Sequence, residues 1–312
     1  MSVGLDVGIG RVEISRQKIT AASKVKGDGQ RRAGVLKMVD RQLSKGNFKM
    51  ALSLLKQLHL SAFSSCSSSS KQVPKRVSSV EELNLSMTET STLQPLFDSI
   101  LGSIKSSLES SPLDETLTGE DGNLYLEDDD IIDNKQVVQH EAGHFLVGYL
   151  LGILPKEYSF SSLEDVKQDK VAVASVKFIG FEFLAELEDK VQLKKKSHEA
   201  KPGHRANKNK LSSTVLCKFA CVIVGGLVAE HLVFGYSKGH HADVEKLDRV
   251  LKWMHFTEDE ANTLMRWAVL NTLLILNRHD EARSTLVEAM VDGRSIGKCI
   301  DMIESTINDH KI

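Results

Sequence analysis

The feature that most constrains this chain is residues 137–151, VVQHEAGHFLVGYLL, a helix-length apolar stretch with two histidines four residues apart. On an α-helix, positions four apart lie on one face, so His140 and His144 can hold a single metal ion. Glu141 follows the first histidine and can take a proton from a water bound to that metal. A structural helix with a chance HExxH pattern is the alternative, but the apolar surroundings favour a metal site on a rigid scaffold.

The other positions of this stretch predict a buried helix. Its apolar side chains are Val137, Val138, Phe145, Leu146, Tyr149 and Leu150. Gly143 lies between the two histidines although glycine weakens a helix. A residue without a side chain at this point predicts that another segment of the chain approaches closely.

The third ligand determines the type of site, because a catalytic zinc takes three protein ligands and leaves a fourth position for water. The extended pattern HExxHxxGxxH is absent, since Val147 and Leu150 occupy the positions of its glycine and third histidine. A glutamate from a later helix is one candidate, namely Glu230 in GGLVAEHLVFG.

Asp243 is the favoured third ligand. It lies where the glycine-containing loop of YSKGHHADVEKLDRVLKWM turns into a helix with an apolar stripe. An ordinary N-terminal helix cap is the alternative role for this aspartate. His240 and His241 remain open as substitute ligands or as exposed loop residues.

Three motifs occur in an order that resembles the peptidase domain of the FtsH-type zinc metalloproteases. They are HEAGH, then VGGLVAEHLVFG about eighty residues later, then G-x-x-x-D at a helix start. The resemblance runs from about residue 134 to near the C-terminus. It implies that His140, His144 and Asp243 bind Zn²⁺ and that Glu141 is the general base. The family loop T-G-A-S-N-D is replaced by Ser237-Lys-Gly-His-His-Ala-Asp243, which keeps the glycine and the aspartate.

The resemblance also implies a function and a location. No G-x-x-x-x-G-K-[ST] loop occurs in the sequence, so an ATPase module is not expected. Plant, plastid-targeted FtsH-like proteins without an ATPase are similar to this chain, which implies a chloroplast protein. The expected function is zinc-dependent, ATP-independent hydrolysis of peptide bonds in peptides or unfolded proteins. The alternative function is a proteolytically inactive scaffold or assembly partner of plastid protease complexes. The expected partner of the active protein is a separate ATPase or FtsH complex.

Composition narrows the choice of partners. A net charge of −2 over 312 residues gives no general attraction to nucleic acid. The longest apolar run, residues 219–229, is shorter than the roughly 20 residues of a membrane-spanning helix, so the chain is expected to have no span of its own.

The sequence predicts a mainly α fold divided into four regions. Residues 1–33 are irregular and resemble a remnant of a targeting segment. Residues 34–110 form a helical N-terminal appendage with a Ser/Lys-rich linker at 61–78, followed by an acidic linker at 111–133. Residues 134–312 form the helical zinc-metallopeptidase domain, which is expected to contain a small β-hairpin or sheet. The stretch Val171–Phe183 is expected to be extended, as one strand or as two strands broken at Gly180.

Overall fold

The computed structural model describes residues 29–58, 60, 62, 77–83, 85–109, 134–159, 174–183, 212–238 and 241–309. The predicted targeting remnant lies outside these residues except at 29–33, which are helical rather than irregular. The acidic linker at 111–133 and most of the linker at 61–78 lie outside them too, and so does His240.

The described part of the chain is mainly helical, which confirms the predicted fold class at that level. The α-helices in chain order are α1 (29–44), α2 (Phe48–Gln57), α3 (Met87–Glu109), α4 (Asn134–Leu150), α5 (Ser213–Ile223), α6 (Gly225–Phe234), α7 (His241–Trp253), α8 (Glu258–Arg278), α9 (Asp280–Val291) and α10 (Ile296–Asp309). A short 3₁₀ turn over Glu81–Leu83 precedes α3.

The sheet has two antiparallel strands, β1 (Pro155–Ser159) and β2 (Ser175–Phe178). Only β2 falls within the segment predicted to be extended, and its partner precedes that segment in the chain. No second strand follows Gly180 within the described residues to 183. Gly180 has a φ of +99°, which turns the chain, and the rings of Phe181 and Phe183 pack against Phe219 of α5 instead.

Helices α5 and α6 form one apolar stretch that is interrupted at Val224, directly before Gly225 and Gly226. By length and composition, Ser213–Phe234 is the one stretch among the described residues that passes as a candidate membrane span. Its most apolar window is 78% buried inside the fold. The prediction that the chain has no span of its own remains a prediction.

Helix α4 lies at the centre of the fold and contacts α5, α6, α8, α9 and both strands. Every residue from His140 to Leu150 is buried, as expected for a helix surrounded on all sides. The close approach predicted at Gly143 is made by α6: a Cβ at Gly143 would lie 2.3 Å from the carbonyl oxygen of Gly225. Glycine at both positions therefore allows the two helices to pack backbone against backbone.

Residues before 110 share one hydrophobic core with residues after 134. Helix α3 packs on α6, α7 and α8. Helix α1 contacts α10, where the carboxylate of Asp40 accepts hydrogen bonds from the Gly297 N–H at 2.7 Å and the Ser295 hydroxyl at 2.6 Å. The predicted boundary between the two regions, at 111–133, lies outside the described residues.

Candidate metal centre

Helix α4 places His140, Glu141 and His144 together in the buried interior. The two imidazole rings are one helical turn apart, with centroids 4.6 Å from each other. The potential ligand atoms of all three residues lie within 4.8 Å of one another, and each residue is less than 9% exposed. The predicted helical spacing therefore produces a close group of metal-binding side chains.

Asp243 reaches the same point from the first turn of α7. Its Oδ2 atom lies 2.9 Å from Nε2 of His140 and 2.9 Å from Nε2 of His144, and these two nitrogens are 2.9 Å apart. Each of these separations is less than twice the zinc–nitrogen and zinc–oxygen distances of about 2.0–2.2 Å, so one ion can contact all three atoms. The structure thus brings together the three residues predicted as ligands.

The outward-facing nitrogens of both rings have acceptors, which determines the role of the inward-facing ones. Nδ1 of His144 donates to the carbonyl oxygen of Val222 at 2.7 Å, and Nδ1 of His140 lies 2.5 Å from Oε1 of Glu230. In a neutral imidazole the other nitrogen then carries a lone pair. Two lone pairs and a carboxylate oxygen facing one another repel unless a proton or a metal ion lies between them, and this set of nitrogen and oxygen donors fits a zinc ion.

The pKa values of the cluster show the same preference for positive charge. Burial alone would lower the pKa of His140, but hydrogen bonds to Asp243 and Glu230 outweigh burial and raise it to about 10. Burial alone would raise the pKa of Asp243, yet the charge of His144 and the hydrogen bonds from both imidazoles hold it well below its usual value. A positive charge among these three side chains is therefore favourable.

Glu230 lies behind His140 rather than among the ligand atoms. Its Oε2 atom accepts hydrogen bonds from the Gln136 side chain at 2.5 Å and from the Lys238 N–H at 2.9 Å. Burial raises the pKa of Glu230, but contacts with His140, Gln136 and Lys238 outweigh burial and lower it. The carboxylate is therefore charged and fixed in place, where it orients His140. A carboxylate behind a ligating histidine is the common arrangement in zinc sites.

The orienting role of Glu230 was missed by the sequence analysis, which considered it as an alternative ligand. The available signal is its position four residues after Gly226, which places both residues on the same face of α6. His241, another alternative, is exposed, and its Nδ1 atom lies 2.6 Å from the hydroxyl of Ser107 in α3.

The break between α5 and α6 also shapes the site. It places the Val222 carbonyl in the last turn of α5, where this oxygen accepts from His144 as well as from the Val224 N–H at the helix cap. It also brings Gly226 directly against His140, where a Cβ would lie 2.4 Å from Nε2. These contacts explain locally why a glycine pair follows α5.

A cleft of about 770 Å³ opens beside the cluster, and His140, Glu141, His144 and Asp243 line it. Strand β2 also lines the cleft, and it is an edge strand because the described sheet has two strands. Apolar side chains line much of the remainder, namely Val137, Val176, Phe178, Phe181, Val222 and Ile223. The arrangement can hold an extended, partly apolar chain next to the metal-binding atoms.

No family model matches this chain, and no curated protein or solved structure matches it. Any functional conclusion therefore rests on the residues and the geometry described above.

Proposed function

We propose that this protein is a zinc-dependent metalloendopeptidase of the FtsH-like type, with zinc held by His140, His144 and Asp243. The observation that supports this proposal is the meeting of two imidazole nitrogens and one carboxylate oxygen at 2.9 Å, from helices about a hundred residues apart. These atoms line an open cleft, and this access distinguishes the site from structural zinc sites, in which four protein ligands enclose the metal.

The residues of the chain have distinct roles in this proposal. A zinc ion held by these residues would lower the pKa of a bound water and polarise the carbonyl of the scissile bond. Glu141 would take the proton of the water as its oxygen bonds to the carbonyl carbon, and would pass this proton to the amine nitrogen as the C–N bond breaks. Glu230 keeps His140 in the orientation that presents Nε2 to the metal. Glu141 suits its role because it lines the cleft directly beside His140.

The proposed substrate is a peptide or an unfolded protein segment. The edge of β2 borders the cleft and can pair with an extended chain through backbone hydrogen bonds, a mode of recognition that needs no particular side-chain sequence. The FtsH resemblance adds three further proposals: independence of ATP, action beside a separate ATPase or FtsH complex, and a location in the chloroplast.

A second candidate function is a proteolytically inactive scaffold. The observation that favours it is the completeness of the polar network, in which Asp243, His140 and Glu230 are hydrogen-bonded in series within the core. Such a network can specify a buried packing arrangement without catalysing any reaction. Removal of the Glu141 carboxylate distinguishes the two functions, because a peptidase requires this group and a scaffold does not.

The test of the proposed function is hydrolysis of fluorescently labelled, unfolded casein by the zinc-loaded protein and by Glu141→Gln. The proposal predicts hydrolysis by the wild type, inhibition by a zinc chelator, and loss of hydrolysis in Glu141→Gln with zinc still bound. The exposed helical residue Glu288 provides the control, since Glu288→Gln should retain full activity. Full activity in zinc-loaded Glu141→Gln would overturn the assigned role, and an inactive wild type with zinc bound would favour the scaffold.

A further inference from the structure

The two carboxylate oxygens of Asp243 have different partners. Oδ2 faces the imidazoles of His140 and His144, at 2.9 Å from each Nε2 atom. Oδ1 lies 3.1 Å from the ammonium nitrogen of Lys246, which is three residues further along α7. The proposed ligand is thus hydrogen-bonded on its other oxygen to a cation of its own helix.

The position of Lys246 distinguishes this ion pair from the others on α7. The Asp243 side chain is 11% exposed and that of Lys246 is 35% exposed, and both residues line the cleft. The pair formed by Lys252 and Asp248 on the same helix has a lysine side chain that is 76% exposed. Solvent screens such a surface pair, whereas the pair at the cleft has a buried carboxylate and is screened less.

The number of oxygens that Asp243 supplies affects the chemistry at the site. A carboxylate can bind a metal through one oxygen or through both. A catalytic zinc with three protein ligands needs its fourth position for water, and a second carboxylate oxygen would compete for that position. A cation hydrogen-bonded to Oδ1 makes this oxygen a poorer metal ligand, because the ammonium group and the metal compete for the same lone pairs.

We propose that Lys246 is a positioning residue that holds Oδ1 of Asp243 and thereby keeps Asp243 a one-oxygen metal ligand. This inference rests on the proposed metal site of His140, His144 and Asp243. In this role Lys246 does not bind the metal and acts on it through Asp243.

The test compares Lys246→Met, Lys246→Arg and the matched control Lys252→Met, which removes an exposed lysine from the same helix. Zinc affinity is measured by chelator competition, and coordination is measured by the visible absorption of the Co²⁺-substituted proteins. Four-coordinate Co²⁺ absorbs more strongly than five-coordinate Co²⁺, so the spectrum reports whether Oδ1 joins the metal. Far-ultraviolet circular dichroism verifies that each variant is folded.

The proposal predicts that Lys246→Met loses visible absorption per bound Co²⁺, because Oδ1 is then free to become a second ligand oxygen from Asp243. Lys246→Arg should retain most of this absorption, and Lys252→Met should match the wild type. A Lys246→Met spectrum identical to that of the wild type would overturn the inference, whatever its zinc affinity, and leave the proposed function standing. A wild type that binds neither ion would overturn the proposed metal site and this inference with it.

Discussion

Gly226 of α6 lies directly against the imidazole of His140 in α4, so close that a Cβ at this position would be 2.4 Å from Nε2 and 2.5 Å from two ring carbons. Real Cβ atoms do not approach other atoms this closely, so the imidazole holds its position only because residue 226 is glycine. The contact ties the packing of two helices to the geometry of the candidate metal centre.

Gly226→Ala is therefore expected to abolish zinc binding. The added methyl group must displace His140 or separate the two helices, and overpacking of this kind costs about 1–3 kcal/mol of stability. Zinc content by elemental analysis and the free energy of unfolding in urea measure the two effects. The control is Gly102→Ala in α3, where nothing lies within 4 Å of the added Cβ. It should gain about 0.5–1 kcal/mol and leave zinc binding unchanged. Stoichiometric zinc in Gly226→Ala would contradict the account.

Removal of Glu230 should weaken zinc binding although Glu230 is not a ligand. Glu230→Ala frees the His140 ring to rotate, and the loss of such an outer partner costs about 10–100-fold in metal affinity. It also removes the acceptor for Gln136 and for the Lys238 N–H. Glu230→Gln keeps one acceptor oxygen and should lose less. Chelator competition gives the affinities, with the exposed Glu288→Ala as the control. Wild-type affinity in Glu230→Ala would show that His140 does not need this support.

Asp40→Ala tests whether residues 29–44 belong to the same folding unit as the C-terminal helix. Asp40 accepts hydrogen bonds from Ser295 and from the Gly297 N–H at the start of α10, so it acts as the cap of a distant helix. Loss of a helix cap costs about 0.5–2 kcal/mol. Urea unfolding followed by circular dichroism should show one transition with a lower midpoint. Asp98→Ala, which alters an exposed pair within α3, should change the stability by less than about 0.5 kcal/mol. An unchanged midpoint in Asp40→Ala would contradict the observed cap.

The contact between Arg32 and Asp301 predicts a loss of stability in acid. Burial raises the pKa of Asp301, but hydrogen bonds from Arg32 and Lys298 outweigh burial and lower it. A carboxyl with a lowered folded-state pKa stabilises the protein fully above its unfolded value of about 3.9, and this contribution disappears as the pH falls through the folded-state pKa. The difference in unfolding free energy between wild type and Asp301→Asn should therefore be constant at neutral pH and shrink below about pH 4. A difference that does not change down to pH 2 would refute this prediction.

Local periodicity explains which parts of the fold and site were predictable from sequence. The pairing of His140 with His144 follows from the helical repeat, and the T-x-x-E pattern of Thr257 and Glu260 forms a capping box at the start of α8. Helices α1 and α2 are joined by a short turn that contains Gly46. Each of these depends on residues within a few positions of one another.

Contacts between distant segments were harder to predict. Asp243 is favoured as a ligand from its place at a helix start and from the resemblance to a known family, but no local pattern connects residues about a hundred positions apart. The strand β1 was missed because its sequence, PKEYS, contains a proline and two charged residues and lacks an alternating apolar pattern. The role of Glu230 depends on which ring nitrogen faces it, which spacing alone does not determine.

The zinc content of the purified protein, measured by elemental analysis for the wild type and for Asp243→Ala, tests the central claim most directly. The account predicts one zinc ion per wild-type chain and little or none in Asp243→Ala, because the variant loses the one carboxylate oxygen that meets both imidazoles. A wild type that takes up no zinc even when zinc is supplied, or an Asp243→Ala variant that binds it as tightly as the wild type, would contradict the three-ligand site.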